Sequence, residues 1–160
     1  MKFKVQWKNQ ILRLACIAFG AWIVFRFLFQ PMVISGSSMM PTYADKGVTF
    51  SCPWLLWFSP AKRGDVCVFS MAGRKVYLLK RILAMEGDTV EWRKGRLYIN
   101  GKEQTESYTA GGNVNCDWNL PPEKVERGKY YVMGDNRTMP IEEHVGGQIS
   151  TKRLAGKPLW

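Results

Sequence analysis

Ser38 and Lys80 are the two residues of this chain whose types could carry out nucleophilic chemistry together. Ser38 opens the turn-forming run Ser38-Met39-Met40-Pro41-Thr42, and Lys80 lies within Val76-Tyr77-Leu78-Leu79-Lys80-Arg81-Ile82-Leu83-Ala84. A serine hydroxyl is a weak nucleophile at its own pKa and needs a neighbour to take its proton. A lysine can do this where burial favours the neutral amine, and the apolar run around Lys80 would supply such burial. An acyl-transfer reaction also needs fixed donors where the oxyanion develops, for which the backbone N–H of Ser38 is the natural candidate. Taken one at a time, the same residues fit a turn serine and a strand lysine whose ammonium reaches water.

Such a pair must be held by a folded domain, and 160 residues support one modest domain plus an anchor. The formal charge is +10. Lys2, Lys4, Lys8, Arg13 and Arg26, with no acid among the first thirty residues, supply half of it. The other half is diffuse, and no interleaved basic-aromatic motif occurs, so no nucleic-acid partner is expected. The charge reads as membrane topology and attraction to anionic lipid. Residues 14–29 carry a single charge, Arg26. Extending the run from Ile11 to Ile34 reaches the roughly 20 residues that a spanning helix needs. Lysines ahead of it predict a cytoplasmic N-terminus. The expected organisation is a cytoplasmic stretch 1–10, an anchor 11–34 and an extracytoplasmic domain 35–160. A cleaved secretory signal, with Ser35 and Ser37 as its small residues, and a buried helix are the competing readings.

The remainder has the texture of a mainly β protein. The runs Gly47–Ser51, Asp65–Met71, Lys75–Ala84, Thr89–Trp92, Leu97–Ile99 and Lys129–Met133 are short and rich in β-branched or aromatic residues. Arg93-Lys94-Gly95-Arg96 and Asn100-Gly101 are turn signals. Residues 105–125, with Gly111-Gly112 and Pro121-Pro122, predict a long loop. Cys52, Cys67 and Cys116 leave at least one free thiol, and Cys16 falls in the apolar segment. His144 is the single histidine and no Cys-x-x-Cys pair occurs, so neither a metal nor a cofactor is expected.

Four segments together resemble the type I signal peptidases, membrane-bound serine proteases that use a Ser-Lys dyad. They are Ser35-Gly36-Ser37-Ser38-Met39-Met40-Pro41-Thr42, Lys62-Arg63-Gly64-Asp65-Val66-Cys67-Val68-Phe69, Lys80-Arg81-Ile82-Leu83-Ala84-Met85-Glu86-Gly87-Asp88-Thr89-Val90 and Gly134-Asp135-Asn136-Arg137. Their order behind an apolar segment is similar to that family. The resemblance implies an antiparallel β domain after one transmembrane helix, with Ser38 as nucleophile and Lys80 as base. It implies cleavage of signal-peptide-bearing preproteins after small residues, in a shallow pocket with Ile34, Met39, Leu78 and Leu79 as walls. A plasma-membrane location with the catalytic domain outside, and a monomer, are further expectations.

The resemblance also assigns supporting roles. Asp135, Asn136 and Arg137 belong to a structural box beside the site. Some relatives place a serine hydroxyl two residues before the nucleophile as an oxyanion donor, but Gly36 stands there, leaving Ser37 or Ser35 as substitutes. Many bacterial relatives follow the box with a serine that orients the lysine and with an acid–arginine pair. An ungapped match puts Pro140, Glu142 and His144 there, with Thr138 as the only substitute hydroxyl. Glu142 and His144 are expected to form an ion pair, which would raise the histidine pKa and weaken as pH rises. His144 itself as base ranks behind Lys80. The segment Trp54, Leu55, Leu56, Trp57 and Phe58, bracketed by Pro53 and Pro60, fits either a core segment or a tip dipping into the bilayer interface, and the resemblance favours the tip.

Competing functions are a self-cleaving repressor-type Ser-Lys protease, a narrow-specificity processing peptidase for pilins or conjugation proteins, and an inactive membrane-anchored binding homologue. The apolar N-terminal segment and the lack of a DNA-binding stretch oppose the first. Retention of both Ser38 and Lys80 opposes the last.

Overall fold

A computed structural model describes residues 2–71, 76–109 and 116–159. The chain divides into two units, Met1–Gln30 and Pro31–Trp160. The first unit is the helix α1, Lys2–Leu28. Its stretch Trp7–Leu28 is long and apolar enough to cross a membrane. At 1.5 Å per residue its 22 residues span about 33 Å, against roughly 30 Å of bilayer hydrocarbon. The helix stops six residues short of the expected Ile34. Gln30 precedes Pro31, and the proline ring disfavours helical backbone at the residue before it. Ile34 is instead a buried side chain of the second unit.

The second unit is antiparallel β, as the sequence predicts. In chain order it has β1 Gln30–Val33, β2 Val48–Cys52, the one-turn helix α2 Leu55–Phe58, β3 Val66–Met71, β4 Val76–Ala84, β5 Thr89–Arg93, β6 Arg96–Ile99 and β7 Lys102–Glu103. It continues with β8 Leu120–Lys124, β9 Lys129–Met133, a 3-10 turn Ile141–Glu143, β10 Gly147–Ser150, and β11 Leu154–Pro158. These strands make a seven-stranded sheet, β1-β2-β11-β3-β4-β9-β10, and a four-stranded sheet, β7-β6-β5-β8. The continuous β3–β4 hairpin dominates the larger sheet, with register from Val66↔Arg81 to Met71↔Val76.

Two corrections concern strands that periodicity does not reveal. Residues 105–125 are not wholly loop, because Leu120–Lys124 pairs with β5. This strand contains Pro121-Pro122, which a central strand would reject. It is tolerated at the edge of the sheet, where a missing N–H breaks no inner ladder. The Gly111-Gly112 part of the expected loop, and Lys75 of the expected strand, lie outside the described residues. The other correction is β11, which inserts between β2 and β3 despite its weak pattern Leu-Ala-Gly-Lys-Pro. Gly156 makes that approach feasible, since a side chain there would run into Ser51 and Cys52.

The core between the sheets gathers Leu83, Val90, Trp92, Leu97, Ile99, Trp118, Val125, Tyr131 and Met133. Trp92 and Trp118 meet edge to face with ring centroids 5.0 Å apart. A smaller cluster of Ile34, Met39, Val68 and Leu79 brings the turn after Ser38 against β3 and β4. The cysteines Cys16, Cys52, Cys67 and Cys116 are all unbridged.

The β5–β6 turn gives a direct test of this packing. Gly95 has φ +75°, donates its N–H to Trp118 O at 2.8 Å, and has no room for a Cβ against the Cys116 carbonyl. Gly95→Ala should destabilise the domain by about 2 kcal/mol or more, read as a lowered urea midpoint, because both the left-handed backbone and the collision count against it. An unchanged midpoint would show that Cys116 yields freely.

Candidate active site

Met39 fixes the nucleophile turn. Its side chain is 1% exposed in the cluster with Ile34, Val68 and Leu79, so the residue before it is drawn to the surface of β4. The turn closes on itself through Met40 N–H to Ser37 O, 3.0 Å, and Tyr43 N–H to Met39 O, 2.9 Å. Lys80 sits opposite Cys67 in the β3–β4 ladder. Its Nζ donates to Ser38 Oγ at 2.8 Å, the single hydrogen bond of that amine among the described residues. The two candidates therefore meet across 42 residues of sequence.

Lys80 is 2% exposed. Burial disfavours its ammonium and lowers its pKa from 10.5 to about 8, against an opposing pull from the Asp135 carboxylate. That carboxylate is itself fully occupied. Arg81 Nε donates to Asp135 Oδ1 at 2.8 Å, Arg81 Nη2 donates to Oδ2 at 2.6 Å, and Thr42 Oγ1 donates to Oδ2 at 2.6 Å. The guanidinium offsets part of the negative field that would otherwise raise the Lys80 pKa further.

The 134–137 box grips the nucleophile turn from the other side. Asn136 N–H donates to Ser38 O at 3.0 Å, and Asn136 Nδ2 donates to Ser37 O at 3.1 Å. A Cβ on Gly134 would strike the Ser38 carbonyl, so only glycine permits this approach. Arg137 Nε donates to Gly134 O at 2.8 Å, while Arg137 Nη1 donates to both carboxylate oxygens of Glu106 at 2.7 Å. Both side chains of that ion pair are 1% exposed. The Arg137 guanidinium lies 4.7 Å from the Trp92 ring centre. Tyr108 OH donates to Glu106 at 2.6 Å, and its ring lies 3.9 Å beneath the Arg81 guanidinium.

Beside the dyad is a cavity of about 40 Å³ lined by Ile34, Ser35, Gly36, Ser38, Met39, Tyr77, Leu78, Leu79 and Lys80. All four residues expected as pocket walls thus line one space with the dyad, joined by Tyr77. Strand β9 pairs β4 only from Arg81 to Ala84, so the Val76–Lys80 half of β4 has no second strand neighbour among the described residues. The Ser38 N–H makes no hydrogen bond among the described residues. Gly36 N–H, by contrast, is spent on Asp45 Oδ1 at 2.7 Å. Ser37 Oγ sits 3.4 Å from Met139 Sδ, and Ser35 is exposed.

The expected Glu142–His144 ion pair is overturned. The 3-10 turn Ile141–Glu143 leaves Glu142 exposed, and no ion pair joins it to His144 among the described residues. Side chains two apart on a helical turn do not face each other. His144 turns inward instead, its ring edge to face with Trp118 at 4.8 Å, and its Nε2 lies 2.9 Å from Asn136 O. Burial, together with the positive charges of Lys80 and Arg137, lowers its pKa to about 4, the reverse of the expected rise. Thr138 does not replace the missing hydroxyl either. Its Oγ1 donates to Asn136 Oδ1 at 2.7 Å, within its own loop.

Sequence reasoning passed over Glu106, Tyr108, Arg81 and Thr42. Glu106 gave no signal at all, lying in an apparent loop 31 residues from its partner. In the segment Trp54–Phe58, Trp57 and Phe58 are each 80% exposed, whereas Trp54, Leu55 and Leu56 are half-buried.

Residues 5–159 match the family described as signal peptidase, peptidase S26. The chain is 36% identical over 144 residues to a signal peptidase I of Bacillus amyloliquefaciens, spanning 85% of this chain and 75% of that protein. It is 34% identical over 144 residues to signal peptidase I T of Bacillus subtilis, again spanning 85% and 75%. A crystal structure of a signal peptidase I from Enterococcus faecalis is similar at 25% identity with a TM-score of 0.47, over 62% of this chain and 97% of that one.

The buried amine has a thermodynamic signature. Below pH 8 Lys80 is charged in both folded and unfolded chains, and its burial costs on the order of 3 kcal/mol. Between about pH 8 and 10.5 the unfolded chain binds the extra proton, so this cost fades and stability rises with pH. Lys80→Met should be more stable than wild type at pH 7 and should lack this rise, as denaturant titrations across pH 7–10.5 would record. Parallel stability–pH curves for the two proteins would place the amine in water.

Proposed function

The chain belongs to the signal peptidase, peptidase S26 family of serine endopeptidases, and on that footing we propose that it cleaves signal peptides from exported preproteins after small residues, with Ser38 as nucleophile and Lys80 as base. The observation that carries the assignment is the 2.8 Å contact between Ser38 Oγ and the buried Lys80 Nζ. Neutral Lys80 takes the Oγ proton as Ser38 attacks the scissile carbonyl, and the resulting ammonium gives that proton to the leaving amine. Water then opens the acyl-ester, with Lys80 again as base. With a pKa of about 8, roughly a tenth of Lys80 is neutral at pH 7, against less than one part in a thousand for an unshifted lysine.

The Ser38 N–H is the assigned oxyanion donor, a role whose loss typically costs about 3 kcal/mol of transition-state stabilisation. An extended substrate has a place to pair along the open half of β4, with its side chain entering the small cavity between Ile34, Met39, Leu78 and Leu79. Buried Ile34, Met39 and Leu79 cannot recede to admit a large residue. Membrane anchoring by α1, with the β domain outside and Trp57 and Phe58 entering the interface, completes the proposal. Trp and Phe at headgroup depth gain apolar burial without spanning.

Ser38→Ala, Lys80→Ala and Lys80→Arg should each reduce preprotein processing by at least a thousandfold, since neither methyl nor guanidinium can perform the proton transfer. Mass spectrometry of the products should place the cut after a small residue such as alanine. Near-normal cleavage by Lys80→Ala would refute the dyad.

Replacing Trp57 and Phe58 by serine in the full chain should weaken liposome association of the detergent-released protein and slow processing of membrane-presented preprotein, leaving cleavage of a short soluble peptide intact. Equal losses on both substrates would instead indicate a fold defect. External protease on right-side-out vesicles should digest the β domain, and its protection would reverse the topology.

A further inference from the structure

Resting on Lys80 as the base, we propose that His144 is a positioning residue for it: with Nε2–H donated to Asn136 O, the imidazole offers Nδ1 to the Lys80 ammonium, directly or through one water. The tautomer follows from the partner. A carbonyl oxygen only accepts, so the 2.9 Å contact puts the proton on Nε2 and leaves Nδ1 a lone pair. That Nδ1 is buried and has no partner among the described residues. A buried acceptor without a donor is unfavourable, which calls for a donor at some stage of the reaction.

The donor must come from the groups that face the ring. Around the ring are the Gly134, Asn136 and Arg137 box and Trp118, with Lys80 of β4 one step away through Ser38, whose Oγ it holds at 2.8 Å. Glu142 and Glu143 of its own turn point to solvent. Gly134 stands between the Ser38 carbonyl and His144 Cε1, which places the imidazole one residue's thickness from the nucleophile turn. Arg137 Nη1 is committed to Glu106 and its Nε to Gly134, while its Nη2, without a hydrogen-bond partner among the described residues, belongs to a guanidinium lying over the Trp92 ring at 4.7 Å. Trp118 Nε1–H is spent on Met139 O at 3.0 Å. Lys80 is different: neutral, it holds one hydrogen bond to Ser38 Oγ, but once it carries the serine proton it has three N–H donors. One returns the proton to the leaving amine and another is free for Nδ1. The ring stays uncharged beside Lys80, its pKa lowered to about 4, so it can accept without competing for the proton. Pro140 stands where relatives carry the lysine-orienting serine, and Thr138 is turned away, so this lone pair fills a vacant task.

His144 is the single histidine of the chain, so its ring nitrogens can be followed without assignment in the full-length protein in detergent micelles. Nitrogen-15 NMR should show a protonated Nε2 and an unprotonated Nδ1 from pH 5.5 to 10. The Nδ1 shift should move with the Lys80 titration near pH 8, and that movement should vanish in Lys80→Met. His144→Phe, which keeps the ring against Trp118, should lower kcat roughly ten- to a hundredfold with KM within about twofold. Its acid limb should shift to lower pH, because the ammonium has lost an acceptor. His144→Gln, which retains an acceptor, should recover part of both. An Nδ1 shift indifferent to Lys80, a ring titrating near pH 6.5, or a His144→Phe profile that loses rate without moving its limb would overturn the proposal. Ser38→Ala and Lys80→Ala run alongside: if Lys80→Ala still cleaves, the dyad itself fails, whereas if only the His144 results are null, the dyad stands and the inference falls.

Discussion

A buried amine held against a hydroxyl is the constraint on which this domain depends. Lys80 is useful as a base only if its ammonium is made unfavourable, and burial alone does this. Burial in turn needs the β3–β4 ladder on one side, and Met39 and Leu79 packed beside it. A charged group so close that it stabilised the ammonium would defeat the arrangement. Asp135 is such a group, and its hydrogen bonds from Arg81 and Thr42 offset the charge it would otherwise present to the amine.

The geometry around the pair is enforced from a distance. Glu106 and Arg137 form a buried ion pair whose other contacts reach Gly134 and, through Tyr108 and Arg81, Asp135. Such pairs contribute little net stability, but removing one partner strands a charge in the interior at a cost of about 3–5 kcal/mol. That penalty makes the box rigid. It is the reason Asn136 can hold Ser38 O while Gly134 lies against the same carbonyl with no room for a methyl group. The four-stranded sheet, which carries no dyad residue, contributes Trp92 beneath Arg137 and the loop that bears Glu106.

The stretch 138–147 shows how a local departure is absorbed. The 3-10 turn after Pro140 directs Glu142 outward and His144 inward. The imidazole is a neutral ring packed on Trp118. The ion pair expected from the resemblance failed here because the backbone of a 3-10 turn sends residues two apart to different sides.

The sequence by itself determined the class of fold and marked Ser38 and Lys80 as the candidate pair that the structure brings to 2.8 Å. Ser38 and Lys80 announce themselves through neighbours fixed by local rules: a turn before Pro41, and an apolar run long enough for a central strand. Alternation and turn signals likewise place β3, β4, β5, β6 and β9 to within a residue or two. Tertiary structure alone decided the remainder. The edge strand Leu120–Lys124 and the inserted strand Leu154–Pro158 have no internal periodicity, because their pairing is dictated by the strands beside them. Glu106 as the partner of Arg137 and the inward turn of His144 were equally invisible. Each depends on which group lies opposite across tens of residues, and a one-dimensional pattern holds no record of that distance.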